Sequence, residues 1–495
     1  MFAAAIRFNF LYRESQLSSF LCVNSSAKSP LETQLCRVGF RLRKYLAGFL
    51  LLSLFAVTDS CAQTVGPLDE RFVPRLVEVI SADESTSAAA LDELSAFWQM
   101  SYVAPLLETI SLTRNRRRVI QIFELLRANT VQSFDFDIQL WYGWLWHQQY
   151  EMAPEYAAFK ARLFATIDPR FRAYFSADRN TSIRLDEVRW GGVLQDGIPP
   201  LRSPAMVGAT EADYLDDGNI VFGIEIDGDA RAYPKRILAW HEMFVDNIAQ
   251  IPVIGVYCTL CGSMIIYETQ VGSVNYQMGT SGFLYRSNKL MYDRTTQSLW
   301  NTLWGKPVIG PLVGKNIQLK RRSVVTTSWG EWRRRHPDTT VLSLDTGYQR
   351  DYGEGVAYRD YFATDELMFN VPDLDTRLKN KDEVLAIILP EYPDQPLAIA
   401  TAYLSDHQLL QAEIAAVRFV VVTDNSGASR VFAADSTQFV DFDGDDTLAD
   451  EQGQLWQLSE SRLVGEHGQE LLRLPAHRAF WFGWYSAYSK TRLIH

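Results

Sequence analysis

The sequence predicts an α+β protein: a helical N-terminal module followed by a β-rich domain built from two diverged, related halves. Three observations carry that prediction. From about Pro67 to Tyr174 apolar residues recur at three- and four-residue steps. After about Arg179 short β-prone runs separated by turn residues take over. Within that second region Ile248–Val256 can be laid over Ile414–Val422 at a constant offset of 166. A chain of 495 residues is too long for one ordinary domain. The expected division is 1–62 as a signal peptide with an unusually long n-region, 63–180 as a helical, solenoid-like module, 181–360 as a β-rich half carrying Cys-x-x-Cys, and 361–495 as a second, diverged β-rich half.

The first segment reads as an export signal. Arg37, Arg41, Arg43 and Lys44 precede the apolar run Tyr45 to Val57, which is about 13 residues long, whereas a membrane span needs about 20. Ser60-Cys61-Ala62 places small residues where cleavage after Ala62 would require them. An uncleaved membrane anchor and lipidation at Cys61 are the alternatives, although Thr58-Asp59-Ser60 lacks the leucine of a usual lipoprotein box. The expected location is therefore periplasmic or extracytoplasmic.

In the helical segment Leu76, Val79 and Ile80, then Leu91, Leu94 and Phe97, mark one periodic face each. Asn115 to Arg118 form a polar run ahead of the periodic stretch Val119 to Leu126, and Trp141, Trp144, Leu145 and Trp146 supply an aromatic core. Successive short helices of this kind suggest a small helical repeat that offers a surface to a protein partner. A net charge of −11 excludes nucleic acid as a partner, because phosphate recognition needs a basic footprint.

In the β-rich region Asp196-Gly197-Ile198-Pro199-Pro200 reads as a turn. Ile220 to Ile226, the tight turn Asp227-Gly228-Asp229 and Ala230 to Tyr233 read as a hairpin. Val253 to Tyr257 and Met264 to Glu268 are expected strands. Ser328 and Glu331 match a capping box for a helix over Trp332 to Arg335, which His336-Pro337-Asp338 ends. The offset of 166 also lays His241 on His407 and Cys258 on Asp424, so only the first half retains cysteines.

Of five cysteines, at 22, 36, 61, 258 and 261, cleavage would leave Cys258 and Cys261 alone. A single close pair is consistent with a structural disulfide, a redox dithiol or half of a metal site. Strand, Cys258-Thr259-Leu260-Cys261-Gly262, strand is the pattern of a metal-binding knuckle, in which the glycine accepts the turn conformation and both sulfurs face one point. A thioredoxin-type pair would instead open a helix. Two thiolates leave a structural zinc short of ligands. His241, in Trp240-His241-Glu242, is the nearest further candidate, and Met264 suits a soft ion. Zinc or copper is therefore the expected cofactor, held by Cys258, Cys261 and His241. Ser281, Asn288 and Asp293 lie in a string dense in hydrogen-bonding groups and are expected to hold a small ligand of unknown identity. The other reading has them satisfy buried turns, with Asp293 paired to Arg286 or Arg294. His336 and His477 read as structural. No phosphate-binding loop, dinucleotide fingerprint, Gly-x-Ser-x-Gly elbow or His-Glu-x-x-His is present.

Ala232-Tyr233-Pro234, Trp240-His241-Glu242, the Cys258–Gly262 knuckle and Ser281-Gly282 through Ser287-Asn288 to Met291-Tyr292-Asp293-Arg294 resemble the bacterial domain of unknown function 3179 family. Thr327-Ser328-Trp329-Gly330-Glu331-Trp332, His336-Pro337-Asp338-Thr339 and Asp345-Thr346-Gly347-Tyr348 extend the resemblance, which runs from about 196 to 484. It implies a polar, cysteine-bearing site and no particular reaction. The family often has proline inside the knuckle where this chain has Thr259-Leu260, a change in the stiffness of the turn alone. The functional expectation is an exported protein binding a metal ion or small ligand at Cys258, Cys261 and His241. The alternatives are a thiol–disulfide oxidoreductase using the two cysteines and an interaction scaffold with a structural disulfide.

Overall fold

The computed structural model describes residues 72–176 and 178–495. The expected signal segment, its cleavage point after Ala62, and Cys22, Cys36 and Cys61 lie outside the described residues. Among those described, no helix is long and apolar enough to cross a membrane.

The helical part contains Phe72–Val79, Glu84–Ala96, Val103–Leu112, Arg116–Thr130, Ile138–Trp146 and Tyr156–Ala165. Short side chains set the starts. Asp83 accepts from Thr86 N at 2.8 Å, Asn115 from Arg118 N at 3.3 Å and Asp137 from Gln139 N at 2.9 Å. The Asn115 cap makes Arg116 to Arg118 the first helical turn rather than a polar lead-in, so that helix starts earlier than periodicity suggests.

These helices are not a free-standing solenoid. Their apolar cluster continues into Phe283, Tyr285, Leu290, Tyr292, Leu299, Val308 and Ile309 of the first β-sheet. Phe283 is the joint, with the rings of Phe164, Phe171 and Phe175 at 5.0, 4.9 and 5.0 Å from its own. Lys160, fully buried, pairs with Glu108 and donates to the carbonyl of Val188 at 2.8 Å, tying a helix to a strand.

That first sheet is antiparallel, in the order Val188–Trp190, Met278–Tyr285, Asn288–Asp293, Leu299–Asn301, Lys306–Ile309. A second sheet runs Arg321–Arg322, Ser263–Glu268, Ile251–Cys258, Met243–Ile248, Leu201–Arg202, and a third runs Val325–Ser328, Ile220–Ile226, Asp229–Pro234, Thr340–Leu342, Met206–Gly208. The turn between Ile226 and Asp229 takes Asp227 at φ 49° and Gly228 at φ 85°, as a two-residue hairpin demands. Ser328 Oγ accepts from Glu331 N at 3.3 Å and opens the helix Trp329–Arg335. Trp332 Nε1 then donates to Thr339 Oγ1 at 2.9 Å, fixing the return into the third sheet.

The C-terminal region has a sheet ordered Ala476–Phe480, Glu383–Ile387, Leu397–Ala400, Arg492–Ile494, with the last pair parallel. It adds a meander of Leu409–Ile414, Val417–Thr423 and Ser429–Ala433, and a five-stranded sheet from Phe439 to Leu472. The helix Trp481–Ala487 connects Ala476–Phe480 to Arg492–Ile494, and Trp484 Nε1 donates to Thr491 Oγ1 at 3.0 Å. A helical N-terminal region followed by a strand-rich domain is thus the observed α+β architecture.

Candidate functional site

Cys258 ends one strand of the second sheet and Cys261 precedes the next, so both thiols belong to a hairpin turn. Cys261 N donates to Cys258 O at 3.2 Å and Gly262 N to Thr259 O at 3.4 Å, closing the turn. Gly262 has φ 57°, and a Cβ there would meet the Phe480 ring at 2.8 Å, so glycine is required on both counts. The C-terminal region closes the other side. Phe480 N donates to Cys261 O at 2.7 Å. A Cβ on Gly483 would lie 2.9 Å from Cys261 Cβ, so the helix Trp481–Ala487 rests directly on the thiol.

Both cysteines are free, with exposures of 2% for Cys258 and 0% for Cys261. Cys261 Sγ–H points to Ser287 O at 3.4 Å and hydrogen-bonds with Cys258, while Asn288 Nδ2 donates to Cys261 Sγ at 3.4 Å. The two thiols differ in acidity. Burial and the Glu242 carboxylate push Cys258 up, but the hydrogen bond from Cys261 and the amide and ammonium of Lys289 outweigh them, leaving Cys258 below the ordinary thiol value. Burial and the neighbouring Cys258 hold Cys261 well above that value. Cys258 is therefore the more acidic thiol of the pair, with Cys261 as its hydrogen-bond donor.

A buried ion pair supports this arrangement. Lys289 bonds to the Glu242 carboxylate, which also accepts from Thr259 Oγ1 at 2.8 Å and Tyr358 OH at 2.9 Å. Thr259 lies within the knuckle, so Glu242 fastens the turn as well as the ammonium. Tyr361 OH caps Leu260 O at 2.7 Å. Backbone conformation is unusual all around: Glu242 has φ 55°, and Arg286 and Ser287 have φ 49° and 67° in the two-residue turn between paired Tyr285 and Asn288. Side chains rarely adopt that region twice in succession. Arg286 is held there by Glu187 at 2.5 Å and by Ser486 O at 3.1 Å.

Two polar atoms beside the thiols have no partner. Asn288 Oδ1 and Ser263 Oγ are both buried and unbonded, and Ser263 is the strand partner of Cys258. Unpartnered buried groups are uncommon enough to require an explanation.

The other expected site residues fall elsewhere. His241 ends the helix Lys235–His241. Its ring is fully buried, with Nδ1 on Pro199 O at 2.9 Å and Nε2 on Tyr352 OH at 2.6 Å, so both nitrogens are engaged. Among the described residues no group of three or more His, Cys, Asp or Glu is placed to hold a metal ion. Ser281 Oγ donates to Leu290 O at 2.6 Å and accepts from Phe283 N at 3.0 Å, shaping an irregular strand. Asp293 pairs with neither arginine. It accepts from Thr296 N at 2.6 Å, Ser298 N at 3.2 Å and Trp300 Nε1 at 3.2 Å, which makes it the organiser of a turn. Of the three expected ligand contacts, only Asn288 touches a thiol.

Sequence reasoning passed over Glu242, Lys289, Thr259, Tyr358 and Ser263. One signal was present: Lys289 directly precedes the apolar run Leu290-Met291-Tyr292, and a cation buried there demands a carboxylate. Glu242, next to His241, was the available one.

No curated protein and no solved structure matches the chain. One family profile does, over residues 195–491, which covers the knuckle, its ion pair and the helix that closes it: the chain belongs to the family described as Protein of unknown function (DUF3179).

Proposed function

We propose that Cys258 and Cys261 form a reversible dithiol–disulfide centre in a protein exported to the cell envelope. The observation that carries the reading is a pair of free, buried thiols closed into one hairpin turn, Cys258 the more acidic and Cys261 the less, with the Lys289–Glu242 pair at the same turn. Thiol–disulfide chemistry needs that division of labour: a thiolate to attack and a neutral thiol to resolve. The Arg37–Ala62 pattern supports location in an oxidising compartment, where such a pair can cycle.

The centre is built, in this reading, at the contact between two diverged, related halves. Three facts support that relation. The sheets Val325–Ser328/Ile220–Ile226/Asp229–Pro234/Thr340–Leu342 and Ala476–Phe480/Glu383–Ile387/Leu397–Ala400/Arg492–Ile494 share order and strand sense. Met243↔Val256 and Ile248↔Ile251 recur as Leu409↔Val422 and Ile414↔Val417. The Trp332–Thr339 bond recurs as Trp484–Thr491.

Zinc or copper on the same sulfurs is the competing use. It would need ligands beyond Cys258 and Cys261, because His241 is committed to Pro199 and Tyr352. One experiment separates the two. The full-length protein is equilibrated in graded dithiothreitol redox buffers, its metal content is measured, and Cys258 and Cys261 are followed by peptide mass. Reversible loss of both thiols at a defined potential, without bound metal, is the expected result. About one metal per chain, lost when both cysteines are replaced by serine, would overturn it.

A further inference from the structure

We propose that the oxidant of this dithiol is a small hydroperoxide rather than a protein disulfide. The proposal rests on the dithiol reading and deepens it by naming the class of substrate. Access decides the matter first. Thiol–disulfide exchange requires a second sulfur to approach the attacking sulfur in line, and neither Cys258 nor Cys261 offers more than 2% of its surface. Phe480 and Gly483 close over Cys261, and Tyr361 lies against the turn. Such burial shuts out a partner protein's disulfide, and the unmet polar groups beside the sulfurs, Asn288 Oδ1 and Ser263 Oγ, call for a ligand of a few polar atoms.

Polar complementarity points the same way. Asn288 Oδ1 is a buried acceptor and Ser263 Oγ a buried donor or acceptor, both unbonded, beside the sulfurs. A hydroperoxide has one donor and several acceptor sites and satisfies both. The Lys289 ammonium, held by Glu242 and close enough to act on Cys258 electrostatically, is the acid for the departing oxygen.

The chemistry balances with groups already present. The Cys258 thiolate attacks one peroxide oxygen, so that an S–O bond forms as the O–O bond breaks. The departing oxygen takes a proton from Lys289 and leaves as water, or as an alcohol from an organic hydroperoxide. Cys258 is now a sulfenic acid. The sulfur of Cys261 attacks the Cys258 sulfur, the S–S bond forms, the S–O bond breaks, and the hydroxyl leaves as water with the Cys261 proton. Two electrons have passed from the dithiol to the peroxide, and Lys289 recovers its proton from solvent. Asn288 and Ser263 orient the peroxide and then the sulfenic hydroxyl.

The test uses full-length, pre-reduced protein challenged separately with hydrogen peroxide and with glutathione disulfide at equal concentration, Cys258 and Cys261 being followed by peptide mass. Peroxide is expected to oxidise the pair at least about a hundredfold faster. On the Cys261→Ser variant it should leave a sulfenic acid on Cys258, read by peptide mass after the quenched protein is denatured in dimedone. Lys289→Met should slow the peroxide reaction on the order of a hundredfold, as expected for loss of a positioned acid, and Asn288→Leu should slow the peroxide reaction more than the reaction with glutathione disulfide. If Cys261→Ser does not fold, the wild-type rate ratio decides alone. Oxidation by glutathione disulfide as fast as by peroxide would overturn the hydroperoxide and leave the dithiol standing. If no oxidant or redox buffer changes either thiol, the dithiol reading falls and the hydroperoxide with it.

Discussion

The turn between Ile251–Cys258 and Ser263–Glu268 and the turn between Val417–Thr423 and Ser429–Ala433 each join two antiparallel strands, yet they are furnished in opposite ways. At the first, Cys258 and Cys261 face a single ion pair, Glu242 with Lys289, and two polar atoms remain without partners. At the second, Asp424 stands where Cys258 would fall. Its Oδ1 accepts from Ser426 N at 3.0 Å, Ser426 Oγ at 2.6 Å and Ala428 N at 3.0 Å, and its Oδ2 from Arg430 at 2.7 Å. Arg430 passes on to Glu460, which also holds Arg473. The carboxylate turn is tied into a network of charges, whereas the thiol turn has one ion pair and two neutral polar atoms without partners.

The sharpest way to break this comparison is Arg430→Met. Arg430 is fully buried between Asp424 and Glu460, and removing it takes one cation from each, leaving Glu460 with Arg473 and Asp424 with Arg335 at 3.7 Å. A loss of about 3–5 kcal/mol is expected in urea denaturation, while the pH dependence of Cys258 alkylation in the folded protein should not move. A shift of that profile would mean that the two turns are coupled.

Gly483→Ala attacks the thiol turn instead. The added methyl would lie 2.9 Å from Cys261 Cβ and 3.2 Å from its sulfur, so Cys261 must retreat. Overpacking of this kind costs about 1–3 kcal/mol. The more telling readout is chemical: with the Cys261 donor displaced, the Cys258 thiol should titrate closer to its ordinary value of 9.0. An unchanged profile would show that Lys289 alone sets it.

The frame was largely legible in the sequence, and the chemistry was not. Hairpins such as Ile220–Ile226 with Asp229–Pro234 follow from a local turn that demands left-handed residues. The helix at Ser328 follows from its cap. Those rules act over a few residues. Glu242 and Lys289 are 47 positions apart, and Cys261 and Gly483 far more, so only the folded sheets bring them together. His241 misled for the same reason: its nearness in sequence to the cysteines suggested a shared ligand set, but the helix end directs the ring to Pro199 and Tyr352 while Glu242, one residue on, turns to the knuckle. The helices were expected as a module of their own, because their sequence does not reveal that Phe283 would complete their core.

A pH effect arises from the strand that contacts the knuckle. His477, on Ala476–Phe480, is buried with both ring nitrogens unpartnered, and burial, with Arg321 nearby, holds it well below the ordinary imidazole value of 6.5. The folded chain keeps it neutral while the unfolded chain takes up a proton. Stability therefore falls as pH drops below 6.5, by about 1.4 kcal/mol per unit until the folded pKa is reached. His477→Phe should flatten that slope in denaturation measured across acidic pH; an unaltered slope would assign the acid sensitivity to other groups.

The finest distinction compares two hydroxyls in corresponding turns. Thr259 Oγ1 donates to Glu242 at 2.8 Å and Ser426 Oγ to Asp424 at 2.6 Å. Thr259→Val and Ser426→Ala each remove one hydrogen bond to a carboxylate and should each cost about 1.5–3 kcal/mol. Near-equal costs make stability a poor discriminator, and for that reason the pair is informative. Only Thr259 sits between the thiols and the carboxylate that steadies Lys289, so only Thr259→Val should raise the pH at which Cys258 becomes reactive. Equal thiol profiles in the two variants would mean that Glu242 steadies the turn without tuning its sulfur, and the contrast between the turns would then rest on Lys289 and Cys261 alone.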